Sequence, residues 1–281
     1  MIRIITDSSS EINLKRAQEL NIEIAPIRVT FGNETFVPYK EISNREFYKK
    51  MEEAPEIPKT SQTPPHEFEE MFRAALDAGD QVIAVLISSK ISGTYQSALI
   101  AKENIGSDDI FVVDSLSATF ALGILVMEAV KMRDNGAKAE DICTFIDNNK
   151  GKLKMYAVLD DLKFLKKGGR ISTAQAIVGT MLHFKPIVSL RNGLVVQEAK
   201  ERGRKRAFEW VIKKAQEDGI DFKKAVAVAH SNAVEALLEL ILMFDDIAKN
   251  VKTEKLLKFE IGPTIGVHGG PGAAGFAFFT E

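Results

Sequence analysis

The sequence has 281 residues, of which 45% are hydrophobic and 27% are charged, and its formal net charge is −2. This balanced charge, with no block of like charges, argues against a protein that binds nucleic acid. The single cysteine, Cys143, cannot form an internal disulfide, and no apolar run approaches the ~18 residues of a membrane span. Because the chain enters a strand-like run at Met1 without a signal-peptide pattern, we expect a cytoplasmic protein.

The chain begins with a strand, a hydroxyl-rich turn and a helix. Residues 2–6 are strand-like, and the turn Asp7-Ser8-Ser9-Ser10 leads into a helix predicted over 11–20. Asp7 stands at the carboxyl end of the strand, where open α/β sheets bind their ligands. It is therefore either a ligand contact or the N-cap of the helix.

A proline-rich loop follows a predicted hairpin and helix. Residues 22–30 are predicted to form one strand, and Gly32-Asn33-Glu34 is the turn of a hairpin. Ser43 and Glu46 fit a capping box, which predicts a helix that ends before Pro55. The loop over 55–65 contains Thr60-Ser61-Gln62 and precedes a helix predicted over 66–78.

The stretch from Gln81 to Ala98 is the clearest candidate for a binding site. The apolar run over 82–87 is typical of a strand buried on both faces, and Ser88 to Thr94 form a turn rich in hydroxyl groups and glycine. A helix follows, and free N–H groups at a helix N-terminus favour anions. The alternative is that Ser92 or Thr94 only caps this helix.

The alternation of strands and helices predicts an α/β domain with a mainly parallel sheet over residues 1–151. Its last elements are a strand over 110–113, a helix over 116–133 and a helix over 139–149. The alternation loosens after Lys150-Gly151-Lys152, which is the predicted domain boundary.

The second half, residues 152–281, is predicted to be an α+β domain with a mixed sheet. Its strongest signal is Asn192-Gly193 between two apolar runs, which predicts a hairpin. Gly168-Gly169-Arg170 forms a tight turn, after which Ser172 and Gln175 fit a capping box. The remaining predicted elements are a strand over 155–159, a helix over 161–167, a strand over 225–230, a helix over 233–248, and strands over 256–261 and 275–279.

Two motif classes are excluded. Gly270-Pro271-Gly272-Ala273-Ala274-Gly275 has the letters of a dinucleotide fingerprint, but only six residues follow Gly275. There is no room for the helix and second strand that give those glycines their role. Four scattered histidines and one cysteine form no credible metal set, and we expect no cofactor.

Several segments, in one order along nearly the whole chain, together resemble the DegV family of bacterial two-domain proteins. They are Ile5-Thr6-Asp7-Ser8, Thr60-Ser61-Gln62, the segment from Ser88 to Tyr95, Val113-Asp114-Ser115, the segment from Leu165 to Ile171, and the segment from Gly262 to His268. The resemblance implies a DegV-like architecture, in which an α/β N-terminal domain and an α+β C-terminal domain hold a long-chain fatty acid, such as palmitate, between them.

The resemblance also implies the residues of the site. The hydroxyls of Thr60 or Ser61, the turn at Ser92 and Gly93, and His268 would hold the fatty acid carboxylate, without catalysis. By elementary transfer energies, ~14 buried methylenes supply roughly 11 kcal/mol, against about 1 kcal/mol for each head-group hydrogen bond. The tail therefore dominates affinity, and the hydroxyls orient the ligand.

The resemblance also extends to acyl-binding subunits that present the fatty acid carboxylate to a fatty acid kinase. Basic residues at the positions of Arg170 and Arg202 would then belong to the docking region for the kinase. The alternative is that both arginines are solvent-exposed surface residues without a binding role.

The second function that the residues allow is a hydrolase that acts on an acyl substrate. It would use Ser92 as the nucleophile, His268 as the base and Asp114 as the orienting carboxylate. Ser92 is not on a nucleophile elbow, which argues against this function.

Overall fold

The structure is a computed structural model, and it describes residues 1–171, 183–245 and 256–281. The predicted capping box of Ser172 and Gln175, and the end of the helix predicted over 233–248, lie outside these residues.

The strands and helices have the following bounds. The strands are β1 (Ile2–Asp7), β2 (Ile22–Ala25), β3 (Arg28–Phe31), β4 (Glu34–Phe36), β5 (Lys59–Ser61), β6 (Gln81–Leu86), β7 (Ile110–Asp114), β8 (Leu153–Val158), β9 (Phe184–Arg191), β10 (Leu194–Arg202), β11 (Val226–His230), β12 (Leu257–Glu260) and β13 (Ala274–Phe279). The helices are α1 (Leu14–Glu19), α2 (Asn44–Glu53), α3 (Pro65–Asp77), α4 (Thr94–Ile105), α5 (Thr119–Asp134), α6 (Ala139–Asn149), α7 (Lys163–Lys167), α8 (Arg204–Asp218), α9 (Val234–Asp245) and α10 (Pro263–Gly269).

The N-terminal half contains a parallel sheet in the order β2-β1-β6-β7, which confirms the predicted α/β class. β6 is almost entirely buried, as its apolar run predicts. The carboxyl ends of β1 and β6 lie side by side, because Ile5 of β1 pairs with Ala84 of β6. The turns after these two strands therefore meet at one edge of the sheet.

Several predictions in this half are wrong in detail, and two of them concern the segments after β1. The strand predicted over 22–30 is two strands in different sheets, because Pro26 lacks the N–H that a continuous ladder needs. The helix predicted from 11 begins at Leu14, after a 3-10 turn over Ser8–Ser10 and a left-handed Glu11 with φ of 60°. The side chain of Asn13 caps it.

A small antiparallel sheet, in the order β4-β3-β5, lies beside the parallel one. Its strand β5 was predicted as loop, and it pairs Thr60 with Val29 of β3. The capping box of Ser43 and Glu46 at the start of α2 is confirmed. Pairing with β3 gives the Thr-Ser-Gln segment a fixed backbone.

The C-terminal half contains a mixed sheet in the order β10-β9-β8-β13-β11-β12, as predicted. Only β11 and β12 are parallel neighbours within it. The hairpin of β9 and β10 turns at Asn192-Gly193, with φ of 50° and 82°. Gly270 to Gly272 form a turn into β13, which confirms that the fingerprint letters there are accidental.

Helix α5 lies between the two sheets. It contacts β1 and β6 on one side and β8, β11 and β13 on the other, and it is apolar around most of its circumference. One apolar cluster accordingly runs from Ile4 through α5 to Phe279. The division into domains at residue 151 stays a prediction. Within the described ranges, none of the helices is both long and apolar enough to cross a membrane.

Candidate functional site

A cavity that is partly open to solvent lies where the two halves meet, and its empty space, with the adjoining open solvent included, is about 900 Å³. Its floor and walls come from the carboxyl edge of the parallel sheet, the start of α5, the inner faces of β8 to β10, and α10. Most of its lining is aliphatic or aromatic: Ile27, Ile87, Ile91, Ala118, Phe120, Met155, Ala157, Leu159, Leu165, Val188, Leu190, Val195, Ile261, Ile265 and Ala273.

Part of the cavity wall is polar, and it brings together residues that are far apart in the sequence. Thr60, Ser92, Arg170 and His268 all line the cavity. Thr60 Oγ1 lies 2.9 Å from His268 Nε2, so β5 and α10 are joined at this point. Arg170 Nε donates to the carbonyl of Ile91, the residue before Ser92, at 3.3 Å. These residues therefore form two linked pairs in the cavity lining, Thr60 with His268 and Arg170 with the turn that holds Ser92.

The surroundings of His268 determine its charge and tautomer. Burial, and then the neighbouring Arg170, lower the pKa of His268 to about 4, so the imidazole is neutral at pH 7. Its Nδ1 is buried and has no hydrogen-bond partner among the described residues. A Cβ on Gly168 would lie 2.4 Å from Nδ1, so the Gly168 turn packs directly on this atom.

This packing assigns the imidazole proton to Nε2. An N–H at Nδ1 would be a buried donor without an acceptor, which costs more than an idle acceptor lone pair. Nε2–H then donates to Thr60 Oγ1. The Thr60 hydroxyl proton is left to donate to a ligand in the cavity.

Arg170 adds a positive charge to the polar wall. Its side chain donates to the carbonyls of Ile91 and Gly168, and it forms no ion pair with any carboxylate among the described residues. A guanidinium that is held by two carbonyls and borders an apolar cavity favours an anionic group there.

The turn at Ser92 and Gly93 is tied to the Thr60 loop through Gln62. A Cβ on Gly93 would lie 1.9 Å from Gln62 Oε1, so only glycine lets Gln62 pack here. Gln62 Nε2 donates to Ser97 Oγ of α4 at 2.9 Å. Gly93 thus serves the packing of the two loops and is not part of the cavity lining, whereas Ser92 is.

Ser92 also has a local role that the sequence left open. Its hydroxyl oxygen accepts from Thr94 N at 3.3 Å and lies 3.0 Å from Thr94 Oγ1. It supports the first turn of α4 and borders the cavity at the same time. The N-cap of α4 is Gly93, without a side-chain cap, so the alternative in which Ser92 or Thr94 only caps this helix is wrong.

Three further polar residues line the cavity and were missed from the sequence: Thr119, Ser231 and Thr264. Thr264 Oγ1 lies 2.8 Å from Ser8 Oγ, and Ser231 Oγ donates to the carbonyl of Gly270 at 2.7 Å. The helix α10 was also missed. Proline after Gly262, with Thr264 and His268 four residues apart, was the available signal for it.

The other candidate residues lie outside the cavity. Ser61 is exposed on β5, and Arg202 is exposed at the end of β10. Asp7 is buried and accepts hydrogen bonds from Ser9 and from Ile87 N at 2.7 Å, so it acts as a cap.

The orienting carboxylate of the hydrolase alternative is not in place. Asp114 Oδ1 accepts from the backbone N–H groups of Ser89 and Leu116, at 3.2 and 3.0 Å. His268 Nδ1, which a triad carboxylate would have to contact, instead packs on Gly168.

The fold and the cavity define a class: a protein of two packed sheets that encloses an apolar cavity with an anion-favouring polar wall. The family model described as "Uncharacterised protein, DegV family" matches residues 1–281, and the chain belongs to the DegV family. A DegV domain-containing protein of Caldanaerobacter subterraneus is 34% identical over 281 residues, covering 100% of this chain and 99% of the relative.

Solved structures of the family have the same fold. A DegV family protein from Thermus thermophilus, described by its fatty acid binding, superposes with a TM-score of 0.89 at 29% identity, covering 100% of this chain and 99% of that one. DegV from Bacillus subtilis, described as a fatty acid binding protein, gives a TM-score of 0.84 at 30% identity, with 100% and 99% covered.

Proposed function

We propose that this protein binds one long-chain fatty acid in the cavity, with the carboxylate at Thr60, Ser92 and His268 and the tail among the apolar side chains. The observation that carries the proposal is the group of Thr60, Ser92, Arg170 and His268 in a cavity lining that is mostly apolar. Relatives described as fatty acid binding proteins support it.

The chemistry of the polar group suits a carboxylate. The Thr60 and Ser92 hydroxyls can donate to its two oxygens, and Arg170 supplies a nearby positive charge. Because His268 is neutral and donates to Thr60, it orients the Thr60 hydroxyl and does not act as the counter-ion. The wall holds the ligand and offers no activated nucleophile, so we propose a binding function without catalysis.

Mass spectrometry of lipid extracted from the purified protein tests this function directly. We expect a long-chain fatty acid in near-stoichiometric amount, and delipidated protein should bind palmitate more tightly than its methyl ester. A protein that purifies without acyl lipid and binds neither ligand would contradict the proposal.

We propose in addition that the protein presents the bound carboxylate to a fatty acid kinase subunit, with Arg202 in the docking surface. Arg202 is exposed at the end of β10, next to the basic start of α8. Arg170 differs, because it lies in the cavity wall and can contact the ligand as well as a partner. Acyl phosphate formation with ATP and a kinase subunit measures this presentation.

A further inference from the structure

Glu11 is a buried carboxylate outside the cavity lining. Only 6% of its surface is exposed, and it accepts hydrogen bonds from three distant segments. Gly262 N donates at 2.6 Å, Thr119 Oγ1 at 3.0 Å and Tyr39 OH at 3.2 Å. None of the ion pairs formed by the described residues involves Glu11. Burying a carboxylate without a counter-ion costs free energy, and the three hydrogen-bond donors offset part of this cost. A carboxylate kept here despite the cost is a candidate for a structural role.

The donors link Glu11 to the start of two helices that border the cavity. Gly262 immediately precedes α10, and Thr119 is the first residue of α5 and itself lines the cavity. Thr119 has a φ of 54°, a left-handed conformation that a β-branched residue rarely adopts. A strained residue persists only where its surroundings hold it, and the bond to Glu11 does so here.

Besides its packing against α2, α7 and β3, α10 makes three hydrogen bonds that follow one another along its length. Its start is held by Glu11 through Gly262, its first turn by Ser8 through Thr264 at 2.8 Å, and its last turn by Thr60 through His268 at 2.9 Å. A helix of seven residues has little stability of its own. The position of His268 therefore depends on these three contacts, of which only the Glu11 contact involves a carboxylate.

We propose that Glu11 is a positioning residue of the cavity, whose carboxylate fixes the start of α10 and thereby sets the orientation of His268 toward Thr60. The inference rests on the proposed function for its ligand readout, but it makes a separate statement about the ligand-free protein.

The charged and titratable groups around Glu11 determine the pH at which its role is tested. Burial raises the pKa of Glu11 to about 8, the three donors oppose this rise, and Asp7 adds to it. Tyr39 faces it directly, and Tyr48 and Glu260 share its surroundings. Arg16 and Lys258 border the same small pocket without pairing with Glu11. Comparisons between variants therefore use one fixed pH above this pKa, such as 9, at which Glu11 is ionised.

The test compares Glu11→Gln with Asp80→Asn. Asp80 is equally buried, at 6% exposed, but it pairs with Arg3 at the opposite, amino edge of the parallel sheet. Glu11→Gln removes the negative charge that strengthens the hydrogen bonds from Gly262 N and Tyr39 OH, and it places an NH2 group at one of the two oxygen positions. We expect the ring NMR signals of His268, in ligand-free protein, to shift in Glu11→Gln and to stay unchanged in Asp80→Asn. Unchanged His268 signals in Glu11→Gln would overturn the proposal.

The ligand readout separates positioning from a general loss of stability. We expect Glu11→Gln to weaken palmitate binding by about tenfold, the value of one hydrogen bond to a charged group, and methyl palmitate binding by less than about twofold. In a His268→Ala background, Glu11→Gln should no longer change the ratio of the two affinities. Equal weakening of acid and ester, or a ratio change that persists without His268, would overturn the proposal.

Two further measurements keep the outcomes distinct. If Glu11→Gln does not fold, Tyr39→Phe removes one donor while keeping the carboxylate, and a smaller shift of the His268 signals is expected; no shift would count against the proposal. If the wild type itself binds no fatty acid, the proposed function fails, whereas the signals of ligand-free His268 still decide the role of Glu11.

Discussion

The polar wall and the apolar wall of the cavity are built in different ways. The apolar wall comes from strands β8, β9 and β10 and from residues next to the ends of other strands and helices, and side chains such as Met155 on β8 and Leu190 on β9 follow from the strand pattern. The polar wall comes from the short strand β5, from turns, from the start of α5 and from the short helix α10, with single hydrogen bonds between segments such as that between Thr60 and His268. The comparison suggests that the apolar wall supplies affinity and that the polar wall supplies orientation.

The sharpest way to test the apolar side of this comparison is Leu190→Trp, which fills part of the cavity. Displacing about four methylenes of a long tail should cost ~3 kcal/mol, so we expect palmitate affinity to fall about 100-fold. Octanoate, with its shorter tail, should lose much less. Calorimetric titration of both acids measures the difference.

Leu194→Trp is the matched control for this change. Leu194 lies on the partner strand of the same hairpin, is 48% exposed and is not part of the cavity lining. Its palmitate affinity should remain at the wild-type value. Equal losses for both acids in Leu190→Trp would mean that the tail does not run along β9.

The titration of His268 tests the polar wall in the absence of ligand. Its pKa in the folded protein, about 4, is below the ordinary value of 6.5. Stability from the neutral imidazole is therefore full above pH 6.5 and is lost as pH falls toward 4. We expect the free energy of unfolding to drop by up to ~3 kcal/mol more in the wild type than in His268→Gln over this window.

Urea unfolding at several pH values between 4 and 7 gives the two slopes. Glutamine can present a donor in place of Nε2–H but does not titrate, and all other titrating groups are common to both proteins. Parallel slopes would show that His268 is solvated and charged like an ordinary histidine.

Removing single hydroxyls from the polar wall should have a smaller effect. We expect Thr60→Val and Ser92→Ala each to weaken palmitate binding by ~1–2 kcal/mol, since each removes one donor to the carboxylate. Ser61→Ala should have no effect, because Ser61 is exposed on β5. Calorimetry with delipidated protein measures each value.

Thr30→Val supplies the control for Thr60→Val. Thr30 lies on β3 of the same small sheet, and its hydroxyl contacts Thr35 and not the cavity. A total loss of palmitate binding in folded Ser92→Ala would mean that the polar wall, and not the apolar wall, supplies most of the affinity. Unchanged binding in both Thr60→Val and Ser92→Ala would mean that the carboxylate does not bind at these hydroxyls.

The same contrast explains what could be predicted from the sequence. The apolar run of β6 and the Asn192-Gly193 hairpin are local patterns, and both were predicted correctly. The cavity wall formed by Ser231 and Thr264 depends on contacts between segments distant along the chain, such as Thr264 with Ser8. Periodicity carries no information about such contacts, so only the family resemblance pointed to residues near them.

Arg170 and Gly93 show what the structure adds to that resemblance, and the roles it implies for them stay predictions. It suggested docking for Arg170 and head-group contact for Gly93, because these are the roles associated with the motifs. In the structure Arg170 borders the cavity, and Gly93 makes room for Gln62. A motif indicates that a residue type is needed at a position. The packing around that residue then identifies the neighbouring group that requires this residue type.

The smallest expected effect on binding concerns Arg202, which belongs to neither wall. Arg202→Ala should leave palmitate affinity within about twofold and Tm nearly unchanged, because substitutions at exposed positions rarely cost more than ~0.5 kcal/mol. With a fatty acid kinase subunit and ATP, however, acyl phosphate formation at limiting protein should fall. A lost docking charge slows association. Added salt should therefore narrow the difference in the rate of acyl phosphate formation between variant and wild type, because salt screens the charge that only the wild type retains.

Arg170→Ala is the informative comparison, since it should lower both palmitate affinity and turnover. Full turnover by Arg202→Ala at every salt concentration would remove the end of β10 from the docking surface.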